Sequence, residues 1–227
     1  DEYANIIERF GYWKDSGVCL EGEGAWGLTA SFIRMCVNLG GVMHNEHDYY
    51  RPHTPVKSEG FCQPFTDGPQ NNPDNPAEDV FLQMISGARR FLYITTPYFI
   101  PDESLMRALC IAGDGGVDVR LMLPGKPDHW YADCVAESYF GELIKHGVKV
   151  YRYTPGFLHG KSIMVDREAA FVGSANMDYR SFELDYECGV MVYSVPMIES
   201  LLEDMDMIVD RSHLVTAEEW AKRSVLR

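Results

Sequence analysis

The sequence has little positive charge. Its 227 residues contain 20 lysines and arginines against 34 aspartates and glutamates, which gives a formal net charge of −14. An acidic molecule is a poor match for a phosphate-rich polymer, so the composition argues against a nuclease or another protein that binds nucleic acid. It does not exclude a lipid surface, because a local basic or apolar rim can dock on a membrane while the body stays acidic.

Cysteine pairs and long apolar runs are also missing. The six cysteines are scattered and include no C-x-x-C pair, a spacing that fits neither a zinc ribbon nor a compact disulfide framework. We therefore expect free, mostly buried thiols in a reducing compartment, and no metal site. No apolar run approaches the ~20 residues that span a bilayer, and no signal peptide is recognised, so we expect this piece of chain to be soluble.

The stretch with the most chemistry begins at Phe157. Two apolar, β-prone runs, Lys161–Val165 and Ala169–Val172, surround a turn and predict two strands. Because side chains at i and i+2 share a face of an extended chain, His159 and Lys161 should project together. A neutral imidazole can attack phosphorus or relay a proton near neutral pH, and a lysine beside it can hold a phosphoryl oxygen.

The second run leads into a turn that contains a glycine, a hydroxyl and an amide. Ser174 and Asn176 are again at i and i+2, so they can donate hydrogen bonds to the same phosphoryl oxygens, and Gly173 lets the backbone come close. Asp166 is an odd number of positions from His159 and Lys161, so on an extended strand it faces the other side. We interpret it as a structural carboxylate that pairs with turn amides.

These residues form the pattern His-x-Lys-x4-Asp-x6-Gly-Ser-x-Asn, which resembles the signature of the phospholipase D superfamily at every fixed position. Six fixed positions would match by chance in on the order of a few chains per million. Three further stretches resemble bacterial cardiolipin synthases, namely residues 95–102, 155–159 and 178–187.

The resemblance implies a phospholipase D-like α-β-α sandwich and a division of the chain. Residues 1–40 would be the remnant of an N-terminal lobe, residues 41–75 an interlobe connection, and residues 76–227 the C-terminal domain that carries the motif. The family has two motifs per chain and this sequence has one, so the first would lie upstream of residue 1. Glu187 matches the acidic residue that holds the far ring nitrogen of His159, and Asp15 is a candidate for orienting the absent histidine.

The function implied is phosphatidyl transfer through a phosphohistidine, in which two phosphatidylglycerols give cardiolipin and glycerol. His159 would act as acid and base, with Lys161, Ser174 and Asn176 stabilising the transition state, and no cofactor is expected. The parent protein would work at the cytoplasmic side of the cell membrane, and its other half would be the missing lobe or a second copy. A phospholipase D-type hydrolase, a phosphatidylserine synthase and a dimeric nuclease remain alternatives.

The rest of the chain predicts an α/β fold. A helix begins after Asn75, and strands at 91–95, 117–123 and 148–153 alternate with helices at 103–112 and 131–145. Such alternation favours right-handed crossovers and a mixed, largely parallel central sheet. A strand at 188–193 and helices at 197–209 and after Thr216 follow the motif, while residues 16–22 predict a strand and residues 25–39 a helix.

Overall fold

The computed structural model describes residues 3–43, 50–52, 56–57, 60–69, 75–193 and 196–222. Within these ranges the strands are β1 (Tyr12–Lys14), β2 (Phe61–Asp67), β3 (Phe91–Thr95), β4 (Phe99–Ile100), β5 (Asp118–Pro124), β6 (Lys149–Tyr153), β7 (Gly156–Leu158), β8 (Ser162–Val165), β9 (Ala169–Gly173), β10 (Met177–Asp178), β11 (Glu187–Tyr193) and β12 (Ser212–Leu214). The α-helices are α1 (Trp26–Asn38), α2 (Pro76–Gly87), α3 (Glu103–Asp114), α4 (Trp130–Lys145), α5 (Tyr179–Glu183), α6 (Pro196–Asp210) and α7 (Ala217–Ala221).

A central sheet of eight strands, in the order β12-β6-β5-β3-β8-β9-β11-β2, organises the domain. The pairs β3–β5 and β5–β6 are parallel, as the strand–helix alternation predicts, because each connection crosses over through a helix. The other five pairs are antiparallel. The α/β class and the mixed sheet are confirmed, but parallel pairing does not dominate: the short β8–β9 connection makes a hairpin, and the edge strands run against their neighbours.

Both faces of this sheet are covered. Successive strand residues point to opposite faces, so Leu92 and Ile94 pack into one core and Tyr93 into the other. The first core contains the buried stripes of α2, α3 and α4, and the second contains the apolar face of α6. Helices on both faces of one sheet form the α-β-α sandwich that the resemblance implied.

The N-terminal part differs from its prediction in two places. Residues 16–22 form no strand; Val18 and Leu20 instead pack against the second core without a ladder partner, and the glycine-rich stretch that follows starts a short 3-10 helix at Gly22–Ala25. The predicted helix at 25–39 is confirmed as α1, which packs against β2 so closely that Gly27 faces Pro64. Strand β1 was not predicted and pairs with β7.

Strand β2 lies inside the segment predicted as an interlobe connection. It pairs along its whole length with β11 and forms one edge of the sheet, with Pro64 tolerated because an edge strand has a free side. The predicted interlobe connection, residues 41–75, therefore contains a strand of the central sheet. Other parts of it, at 44–49, 53–55, 58–59 and 70–74, lie outside the described residues.

The structure bears on two further expectations, the lack of a membrane-spanning segment and the burial of the cysteine thiols. Among the described helices, none combines the length and the hydrophobicity that crossing a bilayer requires. The prediction that the thiols are mostly buried is wrong: Cys110 is buried, whereas Cys19, Cys134 and Cys188 are exposed. Cys134 shows why, because it lies on the solvent side of α4, whose buried residues are at other positions.

Candidate active site

The N-terminal segment holds the motif loop in place. Strand β1 pairs with β7 just before the motif, and the backbone N–H groups of His159 and Gly160 both donate to the carbonyl of Lys14, at 2.7 and 3.2 Å. The strands approach closely at Gly156, where an added Cβ would lie 2.2 Å from the carbonyl oxygen of Tyr12. A glycine is therefore required at this position, and the loop depends on a segment about 140 residues upstream in the sequence.

The imidazole of His159 is bound at both ring nitrogens. Its Nδ1 lies 2.9 Å from Oδ2 of Asp15, and its Nε2 lies 2.7 Å from the Nζ of Lys161. An ionised carboxylate can only accept and an ammonium can only donate, so Nδ1 carries the proton and Nε2 the lone pair. Trp13 packs against the ring with a centroid separation of 5.0 Å. The tautomer and the orientation of the histidine are thereby fixed.

Asp15 takes the position on His159 that the resemblance assigned to Glu187. The hydrogen bond from His159 is the main reason that the pKa of the Asp15 carboxyl lies below its usual value, with burial acting in the opposite direction. The expectation for Glu187 at that nitrogen is wrong in this structure. Sequence reasoning placed Asp15 on an absent histidine, and the fold instead brings it to the histidine that is present.

Lys161 is buried, with only 8% of its surface exposed. Its ammonium donates to the ring of His159 and to the carbonyl of the same residue, at 2.7 and 2.6 Å. Burial lowers the pKa of Lys161 to about 8, although the carboxylates of Asp15, Glu187 and others nearby act to raise it. The shared face predicted for His159 and Lys161 is confirmed by this direct contact.

Glu187 begins β11 and is bound to the turn after β9. Its carboxylate accepts the hydroxyl proton of Ser174, whose Oγ in turn accepts the backbone N–H of Cys188 at 2.9 Å. Burial raises the pKa of the Glu187 carboxyl. Gly173 is needed for a reason other than the predicted approach to a ligand, because an added Cβ would lie 2.6 Å from the carbonyl of Cys188 on the neighbouring strand.

Asn176 is only half satisfied. Its backbone N–H and its side-chain Nδ2 both donate to Oγ of Ser181, each at 3.1 Å. Among the described residues, the other end of the amide, Oδ1, is buried and has no hydrogen-bond partner. A buried polar atom without a partner is costly, so this end of the amide is available to a bound molecule.

Asp166 binds backbone N–H groups, as predicted from its position on the opposite face from His159 and Lys161. These groups do not belong to its own turn. Its carboxylate accepts three backbone N–H groups at 2.8 Å, from Arg89, Arg90 and Phe91, and thus joins the β8–β9 turn to the start of β3. Burial alone would raise the pKa of this carboxyl, and the three N–H groups lower it below its usual value. The structure places Asp166 at the opposite end of β8 from His159.

Sequence reasoning missed Tyr98 and Asp128. The phenol of Tyr98 donates to Oδ2 of Asp128 at 2.6 Å, and burial together with this carboxylate raises the pKa of the phenol. Asp128 is also among the carboxylates whose charge acts on Lys161. Tyr98 lies in the 95–102 stretch that carried the resemblance, but no spacing rule links it to Asp128, which follows β5.

Comparison with known proteins identifies relatives by sequence and by fold. The family model described as cardiolipin synthase, PLD-like domain, matches residues 81–209. A cardiolipin synthase of Listeria welshimeri is 36% identical over 228 residues, a match that covers 99% of this chain and 47% of that protein. The chain thus spans about half the length of this curated relative.

Two solved structures share the fold. Nuc from Salmonella typhimurium, a phospholipase D family member, superposes with a TM-score of 0.58 at 22% identity and covers 70% of this chain and 99% of its own. A phosphatidylserine synthase from Haemophilus influenzae gives a TM-score of 0.56 at 17% identity, covering 72% and 41%. Since the family model covers more than half of its residues, the chain belongs to the family of cardiolipin synthase, phospholipase D-like domains.

Proposed function

We propose that this chain forms one half of the active site of a phosphatidyltransferase that condenses two phosphatidylglycerols to cardiolipin and glycerol. The observation that carries the proposal is the arrangement of His159, whose ring is held between the Asp15 carboxylate and the Lys161 ammonium. A histidine with a fixed tautomer, next to a cation that can hold a phosphoryl oxygen, suits proton transfer at a phosphodiester.

The proposed reaction has two displacements at phosphorus. In the first, a histidine nitrogen attacks the phosphodiester, the bond between phosphorus and the glycerol oxygen breaks, and a second histidine protonates the leaving glycerol. In the second, that histidine takes the proton from the hydroxyl of another phosphatidylglycerol, whose oxygen attacks phosphorus and breaks the phosphorus–nitrogen bond. The proton that leaves with glycerol is replaced by the proton of the incoming hydroxyl, so the second histidine is again protonated and the enzyme is regenerated.

His159 is proposed as the acid and base of this pair. Asp15 would stabilise the imidazolium that forms when Nε2 takes a proton, as a carboxylate does for the histidine of a hydrolytic triad. Lys161, the hydroxyl of Ser174 and the Nδ2 group of Asn176 would donate hydrogen bonds to the phosphoryl oxygens. Asp166 would contribute only by holding the β8–β9 turn.

Glu187 is proposed to serve the histidine that this chain lacks. Asp15 reaches His159 from the N-terminal segment, and an exchange of acidic residues between two similar halves would bring Glu187 to the other ring. Its buried position next to Ser174 and its effect on the pKa of Lys161 support a place in the same site.

The second half would come from a preceding lobe or from a second copy of the chain. Residues 1–40, including β1 and α1, are proposed to belong to that other lobe, because the chain spans 47% of the Listeria relative. The proposed partners are an anionic phospholipid and, through the longer protein, the cytoplasmic face of the cell membrane. The charge of −14 supports a lipid substrate over a nucleic acid.

Mass spectrometry of lipids tests the reaction. The 227-residue chain, and separately the longer protein that we propose it comes from, would be incubated with phosphatidylglycerol vesicles. The proposal expects cardiolipin and glycerol from the longer protein and formation of both about 10³-fold more slowly by its His159→Asn variant. Phosphatidic acid as the only product would show that the enzyme is a hydrolase and not a transferase. Activity of the 227-residue chain by itself would show that two copies complete one site.

A further inference from the structure

A second cluster of side chains with metal-binding chemistry lies between α3 and α4. Cys110 on α3, Glu142 on α4 and His146 just after α4 each offer one ligand atom, and these three atoms lie within 4.8 Å of one another. The set contains a thiol, a carboxylate and an imidazole. These are the three side-chain types that bind zinc in proteins.

The two helices are built to bring these donors together. Glu142 and His146 are four residues apart at the C-terminal end of α4, so they lie on the same side of the last turn. Cys110 faces them because α3 ends against the chain after α4, where an added Cβ on Gly113 would lie 2.2 Å from the carbonyl oxygen of His146. Any larger residue at position 113 would force the cluster apart.

The imidazole is already oriented by another carboxylate. Oδ2 of Asp114 lies 2.8 Å from Nδ1 of His146, and a carboxylate can only accept, so Nδ1 carries the proton and Nε2 carries the lone pair. A histidine that binds a metal usually donates its other N–H to a carboxylate in this way. Asp114 thus provides, from α3, the contact that would fix a ligand on α4.

The surroundings favour a cation. Cys110, Glu142 and His146 lie near the C-terminal ends of α3 and α4, and such ends carry partial negative charge. The donors line a groove of about 680 Å³ that also contains Asp102, Glu103 and a single arginine, Arg107. The cluster residues come just before β5 and β6, which are parallel, whereas His159 comes after the end of β6. The cluster therefore lies at the opposite end of the sheet from the candidate active site.

We propose that Cys110, Glu142 and His146 bind one divalent transition metal, with Zn²⁺ as the preferred ion, and that Asp114 positions His146. The mixture of sulfur, nitrogen and oxygen donors selects a borderline-soft ion over Mg²⁺ or Ca²⁺, which need oxygen ligands. Three protein ligands leave the fourth position of a tetrahedral site open toward the groove.

Isothermal titration of the 227-residue chain with Zn²⁺ tests the site, together with the absorption spectrum of the chain loaded with Co²⁺. We expect one ion per chain and a thiolate-to-cobalt charge-transfer band. The Cys110→Ser variant should lose the band and bind Zn²⁺ at least about 100-fold more weakly, and Asp114→Asn should bind it about 10–100-fold more weakly.

Cys134→Ser is the matched control, because it removes an exposed thiol on α4 outside the cluster. It should keep the band and the affinity of the wild type. Glu142→Gln changes an exposed residue and provides a second ligand variant in case Cys110→Ser does not fold, as judged by circular dichroism. The proposal is overturned if no Zn²⁺ binds at a one-to-one ratio, or if Cys134→Ser weakens binding as much as the cluster variants do.

Discussion

The two ends of the β8–β9 hairpin each bury a charged side chain, but the fold treats the two charges in opposite ways. At the turn end, Asp166 accepts three backbone N–H groups, and its pKa is lowered. At the open end, the hydrogen bonds of the Lys161 ammonium to described residues go to uncharged acceptors of His159, and burial lowers its pKa to about 8 despite the carboxylates nearby, which means that its charge is disfavoured. The turn end therefore stabilises the fold, whereas the open end holds a charge at a cost in stability.

The open end of the hairpin is better suited to chemistry than the turn end. A charge that is fully paired with backbone groups cannot be redirected to a substrate without losing those hydrogen bonds. A charge that is buried and poorly compensated gains from any anion that arrives, and such groups cluster at functional sites. Substitutions at the two ends should therefore separate effects on activity from effects on unfolding.

The largest expected effect is on activity, from His159→Asn. Removal of a general acid and base should lower the rate of phosphatidyl transfer by the longer protein by about 10³-fold, while the denaturation midpoint stays close to that of the wild type. Cardiolipin formation measured by mass spectrometry checks the rate. Wild-type activity in this variant would contradict the assignment of His159.

The Asp15→Asn variant should lower the same rate by on the order of 10²-fold, because the imidazolium would lose its carboxylate partner. Asp15 is more than half exposed, so the free energy of unfolding should change by less than about 0.5 kcal/mol. Glu21→Gln, which changes an exposed carboxyl in the same segment, is the control and should leave both values unchanged. Equal rates for the two variants would remove Asp15 from the mechanism.

The Asp166→Asn variant should affect stability. Asparagine tolerates the positive φ of 53° at this position, but it loses the charge that accepts three N–H groups, so unfolding should become easier by about 2–3 kcal/mol. Urea denaturation measures the change, with Glu168→Gln in the same turn as the exposed control. No difference between these variants would show that Asp166 does not hold the turn.

The stabilisation by Asp166 should also depend on pH. Its pKa in the folded state lies below the usual value of 3.8, so its contribution is fully present above the unfolded pKa and is lost as the pH falls through the folded pKa. The difference in unfolding free energy between wild type and Asp166→Asn should therefore shrink below about pH 4. A difference that is constant down to pH 2 would contradict this origin.

The smallest expected effect concerns the pH profile of the rate. Lys161 must be protonated to hold a phosphoryl oxygen, so transfer should fall as the pH rises through about 8. In Lys161→Arg the side chain stays charged, so whatever activity remains should lose this decline. Lys149→Arg, at an exposed lysine, should keep it. A decline that persists in Lys161→Arg would have another cause.

Local features of the site could be predicted from the sequence. The hairpin, the shared face of His159 and Lys161, and the structural role of Asp166 follow from strand periodicity and spacing within about ten residues. The partner of Asp166 could not be predicted, because its three N–H groups come from residues 75–77 positions away.

Contacts between distant segments account for the other differences. The contact between Asp15 and His159 joins residues 144 positions apart and depends on the pairing of β1 with β7, for which Tyr12–Lys14 shows no periodic pattern. Hydrophobicity also does not define the buried face of α4, where Tyr131 and Val135 are exposed while Ala132 and Ala136 are buried. The burial of these small side chains depends on the tertiary packing of the helix, which the sequence pattern does not contain.

The most direct test of the account measures stability and transfer together in Lys161→Met. The folded pKa of about 8 lies below the ordinary lysine value of 10.5, so at neutral pH the buried ammonium costs up to about 3 kcal/mol, and this cost fades as the pH rises from 8 toward 10.5. We predict that the free energy of unfolding of the variant at pH 7 exceeds that of the wild type by about 1–2 kcal/mol and that phosphatidyl transfer is lost. The gain is smaller than the full cost of the charge because the acceptors on His159 lose their donor. A variant that is clearly less stable than the wild type, or that still makes cardiolipin at the wild-type rate, would contradict the account.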